Sequence, residues 1–206
     1  MAEKPQGRPR DASLDARVVG AARVLLRQGG LDALSISEVA LRSGVSRPAI
    51  YRRFPDRTAL ALGVLFDDLE LRVGVEALPG DAPVVEQIIA LFRPFFRYYA
   101  EDPPLSSALL QLGLFSPQGP WQAHLDAQAS GFMSQIAAVI LRAIATGEVP
   151  VHVDPMNMAL GVFSFYLTIV IAALKGVFPS VEAEVELFRS LVVALLRGAS
   201  QPAPTP

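Results

Sequence analysis

The 206-residue chain reads as an all-α protein. Apolar residues recur at helical spacing through most of its length, and no long alternating segment asks for a sheet. Clusters of Gly and Pro cut the chain into pieces of helix length. The length is ample to bury a stable interior in one domain, or in a small and a larger domain sharing a core. With no cysteine, a disulfide scaffold, a cysteine nucleophile and any thiolate metal site are excluded. The net charge of −2 hides an asymmetry. Residues 1–57 hold eleven Lys/Arg and six Asp/Glu, whereas residues 58–206 hold seven and fourteen. A basic head on an acidic body directs only the head toward a polyanion, and nucleic acid is the first candidate.

The elements follow in order. Residues 1–12, polar and without apolar period, read as a flexible arm carrying Lys4, Arg8 and Arg10. Ser13 is an N-cap type for helix one, which stops at Gly29-Gly30. Val18, Ala21, Ala22, Leu25 and Leu26 form its buried stripe, with Arg17, Arg23 and Arg27 outside it. Ser35 caps a short second helix ending near Ser43-Gly44, and Ser46 caps a third running to about Arg53. Asp56 caps a long fourth helix from Arg57 to about Ala77. Later helices are expected near 83–101, 104–114, 119–146, 155–177 and 181–197, about nine in all. Residues 13–57 thus form a first domain, 58–198 a larger helical one, and the Pro-rich tail from Gly198, counted as 199–206, is expected to fray.

The segment 35–57, SISEVALRSGVSRPAIYRRFPDR, carries the most specific signal. Two short helices joined by a few residues containing Gly form a helix-turn-helix, whose second helix can lie in the DNA major groove. Ala40 is small enough for the helices to cross closely, and Gly44 tolerates the positive φ that such a turn requires. Val39, Val45, Ile50 and Phe54 supply an apolar inner face, while Pro48 falls in the first turn of the second helix, where its missing N–H costs little. The opposite face presents Arg47, Tyr51 and Arg52. An arginine fork reads guanine O6/N7, and a tyrosine packs on a thymine methyl or bonds a phosphate. Ser35 and Ser46 offer hydroxyls and helix-end amides to phosphates, and Arg57 grips the backbone from the other side. The expected DNA-contacting set is therefore Ser35, Ser46, Arg47, Pro48, Tyr51, Arg52 and Arg57.

The run from Gly44 to Arg57, with Val39-Ala40 upstream and Leu60 downstream, resembles the TetR family of transcriptional regulators over roughly residues 14–62. The layout of a three-helix head, a linking fourth helix and a larger helical body is similar as well. Arg57 stands where lysine is usual and Arg53 where histidine or another aromatic residue is frequent. The resemblance implies a homodimer that binds a palindromic double-stranded operator, commonly as a repressor, and is released by a small molecule. It also implies that the last two helices, near 155–177 and 181–197, pair with their symmetry mates in an intersubunit four-helix bundle.

The body is apolar. Asp154 and Lys175 bracket twenty uncharged residues, long enough for a membrane span. Pro155, Asn157, Ser164 and Thr168 dilute the segment and no basic or aromatic belt flanks it, so a helix buried between its own core and a twin subunit is the reading adopted. A pocket between body helices is expected, with walls from Phe92, Phe96, Tyr99, Leu109, Phe115, Trp121, Phe132, Phe163 and Tyr166 and polar anchors from Gln111 and Gln128. Such walls favour an apolar or aromatic effector. Arg93 and Arg97 either steer an acidic effector or form a solvated face. Asp67, Asp68 and Glu70 read as a solvated charge run.

Enzyme chemistry finds no footing. There is no G-x-S-x-G elbow, phosphate loop, G-x-G-x-x-G fingerprint or H-E-x-x-H. The two His-x-Asp pairs, His124/Asp126 and His152/Asp154, do not share a helix face, so neither a metal nor a cofactor is expected. Without a cationic and apolar leader at Met1, the cytoplasm is the expected location. The alternative function is a helical ligand-binding or scaffold protein lacking operator recognition.

Overall fold

In a computed structural model the protein is described over residues 12–72, 82–115 and 120–199. These residues form nine helices and no strand: α1 (Ala12–Ala33), α2 (Ile36–Ser43), α3 (Arg47–Tyr51), α4 (Arg57–Arg72), α5 (Val84–Glu101), α6 (Pro103–Phe115), α7 (Pro120–Ala145), α8 (Pro155–Leu174) and α9 (Val181–Ala199). The all-α reading holds. The expected arm up to Asp11, the end of the fourth helix beyond Arg72 and the tail from Ser200 lie outside the described residues.

Local chemistry accounts for most helix ends. The backbone leaves helical geometry at Gly29 (φ −161°, ψ 25°) and Gly30 (φ 61°, ψ −151°), after which Leu31–Ala33 add one more turn. The Ser35 hydroxyl accepts the Glu38 N–H at 3.1 Å and so caps α2. At its other end Gly44 takes φ 67° and donates its N–H to the Ala40 carbonyl at 3.1 Å, a left-handed C-cap that a side chain would strain. The Asp56 carboxylate caps α4 by accepting the Ala59 N–H at 2.7 Å.

Four expected helix ends are corrected. Ser46 occupies the N-cap position of α3, yet its hydroxyl makes no capping bond. Helix α3 ends at Tyr51 rather than Arg53, because the Arg53 and Phe54 N–H groups both turn back to the Ile50 carbonyl at 2.9 Å. Helix α8 ends at Leu174 rather than 177, where Lys175, Gly176 and Val177 fold their N–H groups onto the Ala172 and Ala173 carbonyls. At the C-terminus Gly198 does not fray but stays in α9, since a glycine in a last turn costs little.

Two hydrophobic cores organise the helices. The first unites Val18, Leu26, Val39, Ile50, Phe54, Leu60 and Leu65 from α1–α4 with Leu105, Ala108 and Leu109 of α6. The second joins α5, α7, α8 and α9 around Ile88, Phe92, Phe96, Ile140, Val162 and Phe188. Helix α6 touches both. Its 105-108-109-112 stripe, at helical spacing, lies on the first core, while Leu110 packs against the second. Leu109 therefore belongs to the head, not to a body pocket.

Close approach is bought with two glycines. A Cβ on Gly63 would lie 2.6 Å from Phe54 Cε1, so α4 can cover the end of the helix-turn-helix only without a side chain there. A Cβ on Gly161 would meet Leu195 Cδ2 at 3.2 Å, which brings α8 and α9 together.

Polar contacts join head to body. Arg23 of α1 donates to Asp67 at 2.7 Å and to Asp68 at 2.6 Å, both on α4. Asp68 is 1% exposed, and its second oxygen accepts the Tyr98 hydroxyl of α5 at 3.2 Å. Arg27 pairs with Asp102 in the turn between α5 and α6. Asp67 and Asp68 are thus not a solvated charge run: they hold three helices in one arrangement. Arg23 and Arg27, outside the buried stripe of helix one, each pair with a carboxylate of a neighbouring element, Arg23 half-buried and Arg27 exposed.

Two substitutions test this packing. Ala for Gly inside a helix ordinarily stabilises by about 1 kcal/mol. At Gly63 the Phe54 ring reverses the sign, and Gly63→Ala lowers stability by about 1–3 kcal/mol, the range for overpacking. Chemical denaturation reads this as a lower midpoint; an unchanged or higher midpoint refutes the contact. Asp68→Ala leaves Arg23 with Asp67 alone, so the loss should be about 2–3 kcal/mol, below the ~3–5 kcal/mol of a fully isolated buried charge. Asp67→Ala, at the more exposed carboxylate, costs less, and equal losses in the two variants would contradict the assignment.

Candidate nucleic-acid interface

The head separates its side chains into two faces. Val39, Val45, Ile50 and Phe54 are all buried, with Ile50 0% exposed, and they lock α2 against α3. Ile50 and Phe54 sit one turn apart on the inner side, as their spacing predicted. The opposite side leaves Arg47, Pro48, Tyr51 and Arg52 exposed, and Tyr51 keeps 49% of its surface in solvent. A bulky aromatic held open to water beside two guanidinium groups is a surface suited to base edges and phosphates. Ser35 and Ser46 are also exposed, at the N-terminal ends of α2 and α3.

The structure adds a residue that sequence reasoning missed. Arg47 donates to the Ser37 hydroxyl, so an α2 side chain orients the first arginine of α3. Ser37 sits among the early residues of SISE, where capping by Ser35 claimed attention first. Arg57 is exposed and rests its guanidinium against the Leu31 carbonyl at 3.4 Å, beside the end of α1. Arg53 pairs with Asp15 of α1 and ties α3 to the head. Arg42 is likewise engaged, with Glu38 at 2.8 Å one turn away. Structural arginines and outward arginines are therefore separate sets.

The body brings together only part of the expected pocket wall. Phe92, Phe96, Tyr99, Phe132, Phe163 and Tyr166 do meet, in a cluster of edge-on and tilted rings. Phe92 lies 5.1 Å from Phe132, 4.8 Å from Tyr166 and 4.9 Å from Phe188 by ring centroids. Phe188 of α9, which was not among the expected wall residues, completes the cluster. The Tyr99 and Tyr166 hydroxyls are bonded to each other; burial pushes the Tyr99 phenol up to about 12, and burial, then the Tyr99 contact, holds Tyr166 well above its ordinary value.

Other expected wall residues are elsewhere. Phe115 is 79% exposed at the end of α6, and Gln111 is exposed on the same helix, so neither lines the aromatic interior. Helix α6 lays Leu105, Ala108, Leu109 and Leu112 on the head core, which leaves these two positions outward. Gln128 is half-buried on α7, and the Trp121 side chain lies outside the described residues. Arg93 and Arg97 stand near Glu182 of α9 and help to lower its carboxyl, after its own backbone N–H and the Ser180 hydroxyl.

Residues 18–64 match the family model described as bacterial regulatory proteins, tetR family. The HTH-type transcriptional repressor BdcR of Escherichia coli is 30% identical over 116 residues, 53% of this chain and 56% of BdcR. An uncharacterized HTH-type regulator of Mycobacterium tuberculosis, Rv2250c, is 33% identical over 82 residues, 39% of this chain and 43% of that protein. The chain thus spans about half the length of these curated relatives. Across the fold, the regulator FadR from Bacillus subtilis, solved in complex with stearoyl-CoA, superposes with a TM-score of 0.71 at 16% identity, over 88% of this chain and 97% of FadR. Residues 18–64 thus match the tetR family model, and the body that follows them is similar in fold to FadR.

Proposed function

We propose that this protein is a DNA-binding transcriptional regulator, acting as a repressor that binds a palindromic operator as a homodimer and leaves it when a small apolar or aromatic effector binds. The observation that carries the reading is the exposed Arg47–Tyr51–Arg52 face of α3, presented by a capped and glycine-turned helix pair. Arg47, Tyr51 and Arg52 read the major groove, with Pro48 packed along it, while Ser35, Ser46 and Arg57 hold phosphates. Similarity to BdcR, a repressor, favours repression over activation.

Dimer formation gives the apolar body its purpose. Helix α8 is long and apolar enough to cross a membrane, yet it sits in a helical body with only 33% of its residues buried within one chain. Met156 and Leu160, one turn apart on α8, and Leu187 on α9 are exposed. A second copy covers this surface in a two-fold contact, which matches the symmetry of a palindrome and spaces two recognition helices about one helical turn, ~34–36 Å, or a multiple of it apart. Residues 13–57 then act as the DNA-binding domain and 58–198 as the effector and dimer domain of a cytoplasmic protein.

The effector is assigned to the aromatic interior around Phe92, Phe132, Phe163 and Tyr166, with Tyr99 as its polar neighbour. FadR, of like fold, was solved with a long-chain acyl thioester, which supports an apolar effector here. Because these rings pack against one another, an effector has to displace them, and α4, α5 and α6 carry the shift to the head. Release requires that the effector prefer the conformation that does not bind DNA, since equal affinity for both would shift nothing.

Selection from random duplex DNA at a fixed salt near ~0.15 M tests the function, because nonspecific phosphate binding is restrained there. An enriched inverted repeat supports the reading; no enrichment from folded, dimeric protein favours a helical ligand-binding or scaffold protein instead. On the selected operator, Arg47→Ala and Tyr51→Ala should each cost about 1–3 kcal/mol and relax preference at individual base pairs. Arg57→Ala should weaken all sequences alike and lower the salt slope by about one unit. A variant with an altered base preference at Arg57, or none at Arg47 and Tyr51, would reverse these roles. Leu160→Arg should shift sedimentation toward monomer; an unaltered dimer removes α8 from the interface.

A further inference from the structure

A cavity of about 230 Å³ opens between the C-terminal ends of α5 and α8 and the start of α9, sharing Tyr99 with the edge of the aromatic cluster. Tyr99, Pro103, Val170, Leu174, Phe178 and Glu184 are among its walls. Glu184 is the one carboxylate among these lining residues, and only 7% of that residue is exposed. No ion pair reaches the Glu184 carboxylate among the described residues; the nearby charge that acts on it is Glu182, a like charge. We propose that this cavity binds a small organic cation, with Glu184 as the counter-charge and Tyr99 and Phe178 as aromatic walls.

Ordinary helix-end chemistry does not account for Glu184. Helix α9 already has a cap, the Ser180 hydroxyl, which accepts the Ala183 N–H at 3.3 Å. Its favourable acidic residue is the exposed Glu182, whose carboxyl is lowered by its own backbone N–H and by Ser180. Glu184 behaves in the opposite way: burial, then Glu182, raises its carboxyl. The Glu184 carboxylate lines the recess without an opposite charge, and a bound cation supplies one. Aromatic walls beside a carboxylate favour an ammonium head over a neutral or anionic one. The volume lies below the ~300–1,000 Å³ typical of sites for drug-sized molecules, so the ligand is smaller than these. This assignment is independent of operator binding, since it is read on the free protein.

Calorimetric titration of the full chain with benzylammonium, benzyl alcohol and benzoate, three probes of nearly equal shape and different charge, tests the proposal. Saturable binding of benzylammonium at least tenfold tighter than of benzyl alcohol, with benzoate weakest, is expected. Glu184→Gln, which keeps size and removes charge, should weaken benzylammonium at least tenfold and leave benzyl alcohol unchanged. Equal affinity for benzylammonium and benzyl alcohol in the parent chain overturns the proposal, as does a folded Glu184→Gln variant that retains benzylammonium. If that variant does not fold, the charge series on the parent chain still decides.

Discussion

Asp68 is a carboxylate almost without solvent, and the rest of the molecule is arranged around keeping it satisfied. One oxygen receives Arg23 from the head and the other receives the Tyr98 hydroxyl from the body. A buried charge that loses its partner is expensive, so α1, α4 and α5 cannot move independently without breaking a costly contact. Replacing such a network by apolar side chains of equal volume is often neutral or stabilising, so stability alone is a poor explanation for it. Directional bonds instead specify how helices sit. Apolar contacts alone tolerate sliding; a guanidinium bonded to two neighbouring carboxylates does not.

The second constraint is geometric. Helix α6 contributes Leu105, Ala108 and Leu109 to the head core and Leu110 to the body core, so each core is incomplete without the same helix. At its start, Asp102 pairs with Arg27 and also accepts the Leu105 N–H at 3.2 Å, which fixes the first turn of α6 to α1. In the proposed function, a change in the packing around Phe92 and Phe96 reaches the head by two routes: Tyr98 to Asp68, and Asp102 to Arg27. Both leave the same face of α1. Helix α1 packs against α2 and α4 in the head core, so tilting it moves α3 with it.

What was legible in the sequence was local. Ser35 with Glu38, Gly44, Gly29-Gly30 and Asp56 each act on backbone within four residues, and a reader of the chain can place them without a fold. The apolar register of Ile50 and Phe54 likewise follows from helical spacing alone. The outward set Arg47, Tyr51 and Arg52 was legible by subtraction, as the face left when the inner one is assigned. Contacts distant in sequence were not. Arg23 and Asp68 are separated by 45 positions, and each alone looks like an ordinary charge on the polar side of its helix. Leu109 and Phe115 failed for a related reason. A list of large apolar residues says that a residue wants burial but not in which core, and α6 faces the head rather than the aromatic interior.

Arg53 shows why charge in the head has to be divided before it is used. The segment from Arg47 to Arg57 carries four arginines, and a polyanion would attract all of them at long range. Arg53 is bonded to Asp15, so its charge is largely cancelled and its side chain holds α3 against α1. Arg47 bonds the neutral Ser37 hydroxyl and Arg57 a backbone carbonyl, so each keeps its full positive charge while losing some freedom. Ordering a long side chain costs up to ~2 kcal/mol of rotamer entropy, and a side chain ordered beforehand does not lose it again on binding. Hydrogen bonds to neutral groups therefore do what an ion pair would not: they orient the cation for a partner and leave its charge available to that partner.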